Sequence, residues 1–227
     1  MYGFDIYYLV LVVPAILLSL WAQFKVKSTF SKYSRVQCGR GITGAQAAKL
    51  LMDANNITDV AIEPVAGSLT DHYDPGRHVL RLSQPVYGVA SIAAVGVAAH
   101  ETGHAVQHAR GYGPLWLRSA LVPVANIGSS IGPWLAVAGL AMAFQPLLTI
   151  GIILFAGAVA FYLITLPVEF NASARALAIL KQNQVLSGEE LAGVRKVLSA
   201  AAMTYVASAL TALMNLLRLV LLSRRRR

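Results

Sequence analysis

Two apolar runs, residues 121–144 and 147–168, stand almost back to back, with only Gln145-Pro146 between them and no Asp, Glu, Lys, Arg or His in either. Each has the roughly 20 residues that a helix needs to cross the ~30 Å hydrocarbon core of a bilayer. Backbone in lipid must satisfy its own hydrogen bonds, so such a pair folds as a helical hairpin. A third run, residues 4–24, has Asp5 at its start and no small-residue cleavage site after it, which reads as a retained anchor. Composition agrees. Charged residues make up 13% of the chain, against about 25% in soluble domains.

Lys25, Lys27, Lys32, Arg35 and Arg40 follow the first run. By the positive-inside rule, the amino terminus is outside and the segment after the anchor is cytoplasmic. The net charge of +9 invites a nucleic-acid reading, but no surface-like repeat of aromatic and basic residues accompanies it. The expected partner is therefore the lipid bilayer and not nucleic acid. A single cysteine, Cys38, excludes an intramolecular disulfide and a Cys-based zinc site. A transporter would carry ionisable residues inside its crossings, and residues 121–168 have none.

Residues 28–117 have the mixed composition of a small folded domain. Thr43-Gly44-Ala45-Gln46 predicts a capping box opening a helix. Val60 and Ile62, then His78-Val79-Leu80-Arg81-Leu82, alternate as strands on either side of the turn Asp74-Pro75-Gly76, a hairpin-like pair. A helix over about residues 91–110, capped by Ser91, follows. After the hairpin of residues 118–168, Pro167 is expected to open a further helix in the segment 169–196. The last run, within residues 197–227, carries Thr204, Ser208, Thr211, Asn215 and Arg218 as one polar stripe. That stripe suits a helix lying in the interface, which keeps Arg224 to Arg227 inside, or a spanning helix whose polar side faces a neighbour.

The chemistry is concentrated in His100-Glu101-Thr102-Gly103-His104, within an otherwise apolar helical run. Spacing of i, i+4 puts both imidazoles on one helix face, where they can share a metal. Glu101 stands beside them as the base that takes a proton from an activated water. The alternative is a buried helix whose histidines satisfy each other. A third ligand is needed. His108 lies about 80° around the helix from His100, which leaves it a supporting or surface role. Glu169 is the better candidate, because a carboxylate at the exit of an apolar run is expensive without a partner. The bland alternative is a solvated interfacial carboxylate. Two crossings return the chain to the side it left, so Glu169 shares that side with His100 and His104.

This arrangement, H-E-x-x-H, a transmembrane hairpin and then Glu169-Phe170-Asn171-Ala172-Ser173, resembles the YugP-like membrane zinc metallopeptidases. Residues 70–75 and 97–108 resemble that family too, and the likeness covers nearly the whole chain. More distantly, the chain is similar to HtpX-like and CAAX-prenyl membrane proteases, whose Glu ligand sits in a Glu-x-x-x-Asp motif. Here the fifth position is Ser173, which can replace the carboxylate only with a weaker hydrogen bond to a ligating histidine. The resemblance implies a gluzincin-type metalloendopeptidase using one Zn2+ held by His100, His104 and Glu169, acting on a peptide or membrane-protein substrate. His72 and Tyr73 are the upstream candidates for stabilising an oxyanion, or else a turn-packing pair. Val79, Leu80 and Arg81 could present an edge strand to the substrate, or be purely structural. The expected architecture is mainly α and membrane-embedded, a zincin-like domain with a small hairpin or sheet plus three or four transmembrane helices. It would be a multi-pass cell-membrane protein with its catalytic domain cytoplasmic. The competing reading is a non-enzymatic zinc-binding membrane scaffold or sensor, although structural zinc sites close all four positions with protein ligands.

Overall fold

The computed structural model describes residues 5–225. A π-helical turn, Tyr8–Val12, leads into α1 (Val13–Ser34), followed by α2 (Gly44–Asp53), β1 (Ala61–Val65), β2 (His72–Asp74) and β3 (Val79–Ser83). A short α3 (Gln84–Tyr87), then α4 (Ile92–Ala109), α5 (Gly113–Ala141), α6 (Gln145–Gln182) and α7 (Gly188–Arg225) complete the chain. Among the described residues four helices, Tyr8–Ser34, Gly113–Ala141, Gln145–Gln182 and Gly188–Arg224, are long and apolar enough to cross a membrane. The chain forms two compact units.

The first unit comprises residues up to Gln23, Trp116–Pro167 and those from Met203 on. Glycines set the distance between α5 and α6: a Cβ at Gly128 would fall 2.2 Å from the Leu154 carbonyl oxygen, and one at Gly151 2.3 Å from the Ala136 nitrogen. Small residues allow this approach where lipid supplies no hydrophobic drive between helices. The connection between these helices is residues 142–144, with Ala143 at φ 51, so Gln145-Pro146 belongs to the first turn of α6 and not to the link.

The polar stripe of α7 meets the first helix. Arg218 Nε lies 2.7 Å from Asp5 Oδ2, and the Thr211 hydroxyl meets Ser19 Oγ at 3.0 Å and the Ala15 carbonyl at 3.2 Å. These pairings run α7 antiparallel along the first helix, its carboxy-terminal end beside Asp5. If the first helix crosses the bilayer, α7 crosses with it, and its polar side is satisfied by a neighbour instead of headgroups. Arg226 and Arg227 lie outside the described residues.

The second unit, Phe24–Leu115 with Val168–Ala202, holds the mixed-composition segment. Both halves of the Thr43 capping box form, with Gln46 N donating to Thr43 Oγ1 at 3.3 Å and Thr43 N to Gln46 Oε1 at 2.9 Å. The sheet order is β1-β3-β2, with β3 parallel to β1 and antiparallel to β2. Val60–Ile62 and His78–Leu82 are therefore not a hairpin pair; the turn at Asp74 joins β2 to β3. Val79, Leu80 and Arg81 lie on the central strand, paired on both sides, and offer no edge to a substrate. The cause is His72-Tyr73-Asp74, too short a run to announce itself as a strand by alternation.

Ser91 caps α4 by accepting from Ala94 N at 3.1 Å. The helix is buried nearly all round, its Val95, Ala98, Ala99, Ala105 and Val106 sharing one core with Leu51, Leu80, Leu82, Leu180 and Val194. A helix apolar on all sides belongs in a core, and there its few polar side chains must find partners.

Candidate metal centre

α4 and the Val168–Gln182 part of α6 make the site between them. Gly103 lets them meet: a Cβ there would fall 2.5 Å from the Ala172 carbonyl oxygen. The close approach brings Glu169, 2% exposed, against the histidine face of α4. Its Oε2 is 3.2 Å from His100 Nε2 and 3.6 Å from His104 Nε2. The two imidazole rings stand edge to face, their centroids 4.8 Å apart. One ligand atom from each of the three residues lies within 4.8 Å of the others. Glu169 sits inside the continuous α6, so the expectation that Pro167 opens a new helix there does not hold. No helix terminus supports the carboxylate; two imidazoles face it instead.

Glu101 is 8% exposed, and among the described residues no hydrogen bond engages its carboxylate. Burial pushes its carboxyl up to about 7; the His100 charge lowers it, while the charges of Glu169 and Asp71 raise it and that of His72 lowers it. A carboxylate tuned toward neutrality can both take and return a proton near physiological pH.

A buried carboxylate oxygen facing two imidazole nitrogens, with a titratable carboxyl alongside, is a donor set that fits a catalytic zinc ion: nitrogen and oxygen ligands with one position left for water. The family described as "putative neutral zinc metallopeptidase" matches residues 8–224 of this chain. The chain belongs to that family. A relative named "Putative membrane protease YugP", from Bacillus subtilis (strain 168), is 53% identical over 215 residues, covering 95% of this chain and 96% of that protein. No solved structure matches.

For a member of this family, the placement of the remaining residues is informative. Ser173, one turn after Glu169, puts Oγ 3.1 Å from His100 Nδ1. His108 stands outside the three-residue cluster; its Nδ1 is 2.8 Å from the Tyr73 hydroxyl, and its ring lies edge to face on His78 at 5.1 Å. Tyr73 thereby ties β2 to α4, and burial pushes its phenol up to about 12, with the Asp59 and Asp74 charges adding to that. His72 Nδ1 is 2.8 Å from the Thr70 carbonyl oxygen, so that nitrogen carries a proton, and Nε2 is 3.5 Å from Arg81 Nη1.

Several residues around the centre escape a reading by motif. Asp71 accepts from the Ser83 amide at 2.7 Å and its hydroxyl at 2.8 Å, anchoring the approach to β2. Gln107 is fully buried, with Oε1 2.9 Å from His104 Nδ1. Its signal was available: a polar side chain three residues past His104, in an apolar helix, needs a partner as much as Glu169 does. Asn171 and Arg175, on α6 beyond it, carry no such signal.

Proposed function

We propose that this chain is an integral-membrane, zinc-dependent metallopeptidase that hydrolyses peptide bonds, as the names of its family and relative suggest. The observation that carries the proposal is the convergence of His100, His104 and Glu169 within 4.8 Å, with a buried Glu101 beside them. His100, His104 and Glu169 would hold one zinc ion. Bound there, zinc supplies Lewis-acid chemistry and lowers the pKa of a water. Glu101 accepts the proton of the attacking water and returns it to the leaving amine.

The substrate peptide lies extended along the outer edge of β2, which among the described residues pairs with β3 alone, and is held by main-chain hydrogen bonds. Of the two oxyanion candidates, Tyr73 has its hydroxyl engaged by His108. His72 spends Nδ1–H on Thr70, so it donates to an oxyanion only from Nε2 of its protonated ring. The catalytic unit faces the cytoplasm, the side marked by Lys25 to Arg40 and by Arg195 and Lys196.

The test is metal analysis of the purified protein together with casein cleavage, with and without a chelator. Stoichiometric zinc and cleavage abolished by chelation and restored by zinc are expected. Stoichiometric zinc without cleavage of any peptide or membrane-protein substrate would favour the scaffold or sensor reading instead.

A further inference from the structure

The hydrogen bonds behind His104 run in one direction only. Arg175 Nε lies 2.7 Å from Asn171 Oδ1. A guanidinium has donors and no acceptor, so the Asn171 atom facing it is the oxygen. The same oxygen lies 3.0 Å from Gln107 Nε2, which is also 2.8 Å from the Val168 carbonyl oxygen. With two acceptors before it, that end of Gln107 must be the NH2 group. A flipped amide would set oxygen against oxygen twice. Gln107 therefore turns Oε1 to His104 Nδ1 at 2.9 Å, and Nδ1 must carry a proton whatever the charge of the ring. The lone pair of the neutral imidazole is then on Nε2, the atom on the side of Glu169. His100 has no such constraint, because the Ser173 hydroxyl behind it can donate or accept.

We infer that Gln107, Asn171 and Arg175 are positioning residues, a one-way relay that locks His104 in its Nδ1–H tautomer and aims Nε2 at the metal centre. The inference rests on the reading of His104 as a metal ligand. Residues α4 and α6 supply in register make the relay: Gln107 lies one turn past His104, and Arg175 one turn past Asn171. Partners that orient a ligating imidazole typically change metal affinity by about 10- to 100-fold when removed. Asn171→Asp keeps an acceptor toward both Arg175 and Gln107, so it preserves the direction of the relay. Gln107→Leu abolishes it; Asn171→Leu removes one of the two acceptors that orient Gln107 and leaves the other, the Val168 carbonyl.

The experiment uses the full-length protein in detergent with isotope-labelled histidine. In the metal-free protein, two-bond proton–nitrogen correlation reports which ring nitrogen of His104 carries the proton; Co2+ titration, followed by its visible absorption, gives affinity. The unmodified protein and Asn171→Asp should show Nδ1–H at His104 and bind Co2+ alike. Gln107→Leu should lose the single tautomer and bind Co2+ about 10- to 100-fold more weakly, Asn171→Leu should weaken Co2+ binding by less than Gln107→Leu does, and Ser173→Ala should leave the His104 tautomer in place. Should Gln107→Leu fail to fold, Gln107→Met, which keeps the length of the side chain without its amide, decides. An Nε2–H tautomer in the unmodified protein overturns the relay, as does an unchanged tautomer and Co2+ affinity in the Gln107 variant; unchanged affinity in Asn171→Leu removes Asn171 and Arg175 from it. Failure of the unmodified protein to take up Co2+, with Nδ1–H intact, would uphold the lock and overturn the metal reading, so the two failures are distinguishable.

Discussion

Glu101 and Glu169 are the two buried carboxylates of the centre, and their neighbours separate them. Glu169 faces two imidazole nitrogens; Glu101 hydrogen-bonds to none among the described residues and is raised by burial. Glu101→Gln should therefore keep stoichiometric zinc while peptide hydrolysis falls by at least about 100-fold, the scale of general-base loss; zinc lost along with activity would make Glu101 structural. Glu169→Ala should strip most of the zinc, and His108→Ala should leave occupancy nearly unchanged, both read by metal analysis. The raised carboxyl also has a stability signature in chelator-treated protein. The unfolded value is 4.5 and the folded value about 7, so the protonated form favours the fold. The stabilisation is complete below pH 4.5 and disappears as pH rises through 7, on the order of 3 kcal/mol. Thermal unfolding of the metal-free protein against pH should show this decline, and the Glu101→Gln profile should lack it.

Between elements, the decisive fact is how closely α4 and α6 approach. The approach depends on Gly103, because any Cβ there meets the backbone at Ala172 and not a yielding side chain. Overpacking of this kind costs about 1–3 kcal/mol, and here it also pushes Glu169 away from His100 and His104. Gly103→Ala should lower both the melting temperature and zinc affinity, the latter measured by competition with a chromogenic chelator. A variant with a lowered melting temperature and unchanged affinity would show that the centre tolerates displacement of α6. The sheet is the second element-level lesson. Strand residues Val79 to Arg81 are legible from alternation, yet their place at the centre of the sheet is set by β2, whose three residues have no period to read.

For the whole molecule, the first unit fixes which chain ends lie together. Asp5 pairs with Arg218, and Gln145 Nε2 reaches Ser223 Oγ at 3.4 Å, so both described ends of the chain and the α5–α6 turn share one end of that unit. If the anchor enters from outside, as the positive-inside rule predicts from the basic cluster after it, that end is external. In intact cells Lys32→Cys should resist an impermeant thiol reagent until permeabilisation, and Arg224→Cys should react at once. Equal accessibility of the two positions would refute four crossings in this arrangement.

Much of this protein is written in local sequence. The apolar runs reveal the long helices because the bilayer's thickness sets a length that composition must meet, and the i, i+4 histidines share a face because helix geometry alone puts them there. What local sequence leaves undetermined depends on distant neighbours. Pro167 looks like a helix start, but α6 continues through it. Arg218 looks like an interfacial charge until Asp5 is seen beside it. Gln107 has no direction in the sequence, and only the Val168 carbonyl and Asn171, itself oriented by Arg175, give its amide one. A hydrogen bond's direction is a property of both partners, and when they are 61 and 64 residues apart in sequence only the tertiary structure can assign it.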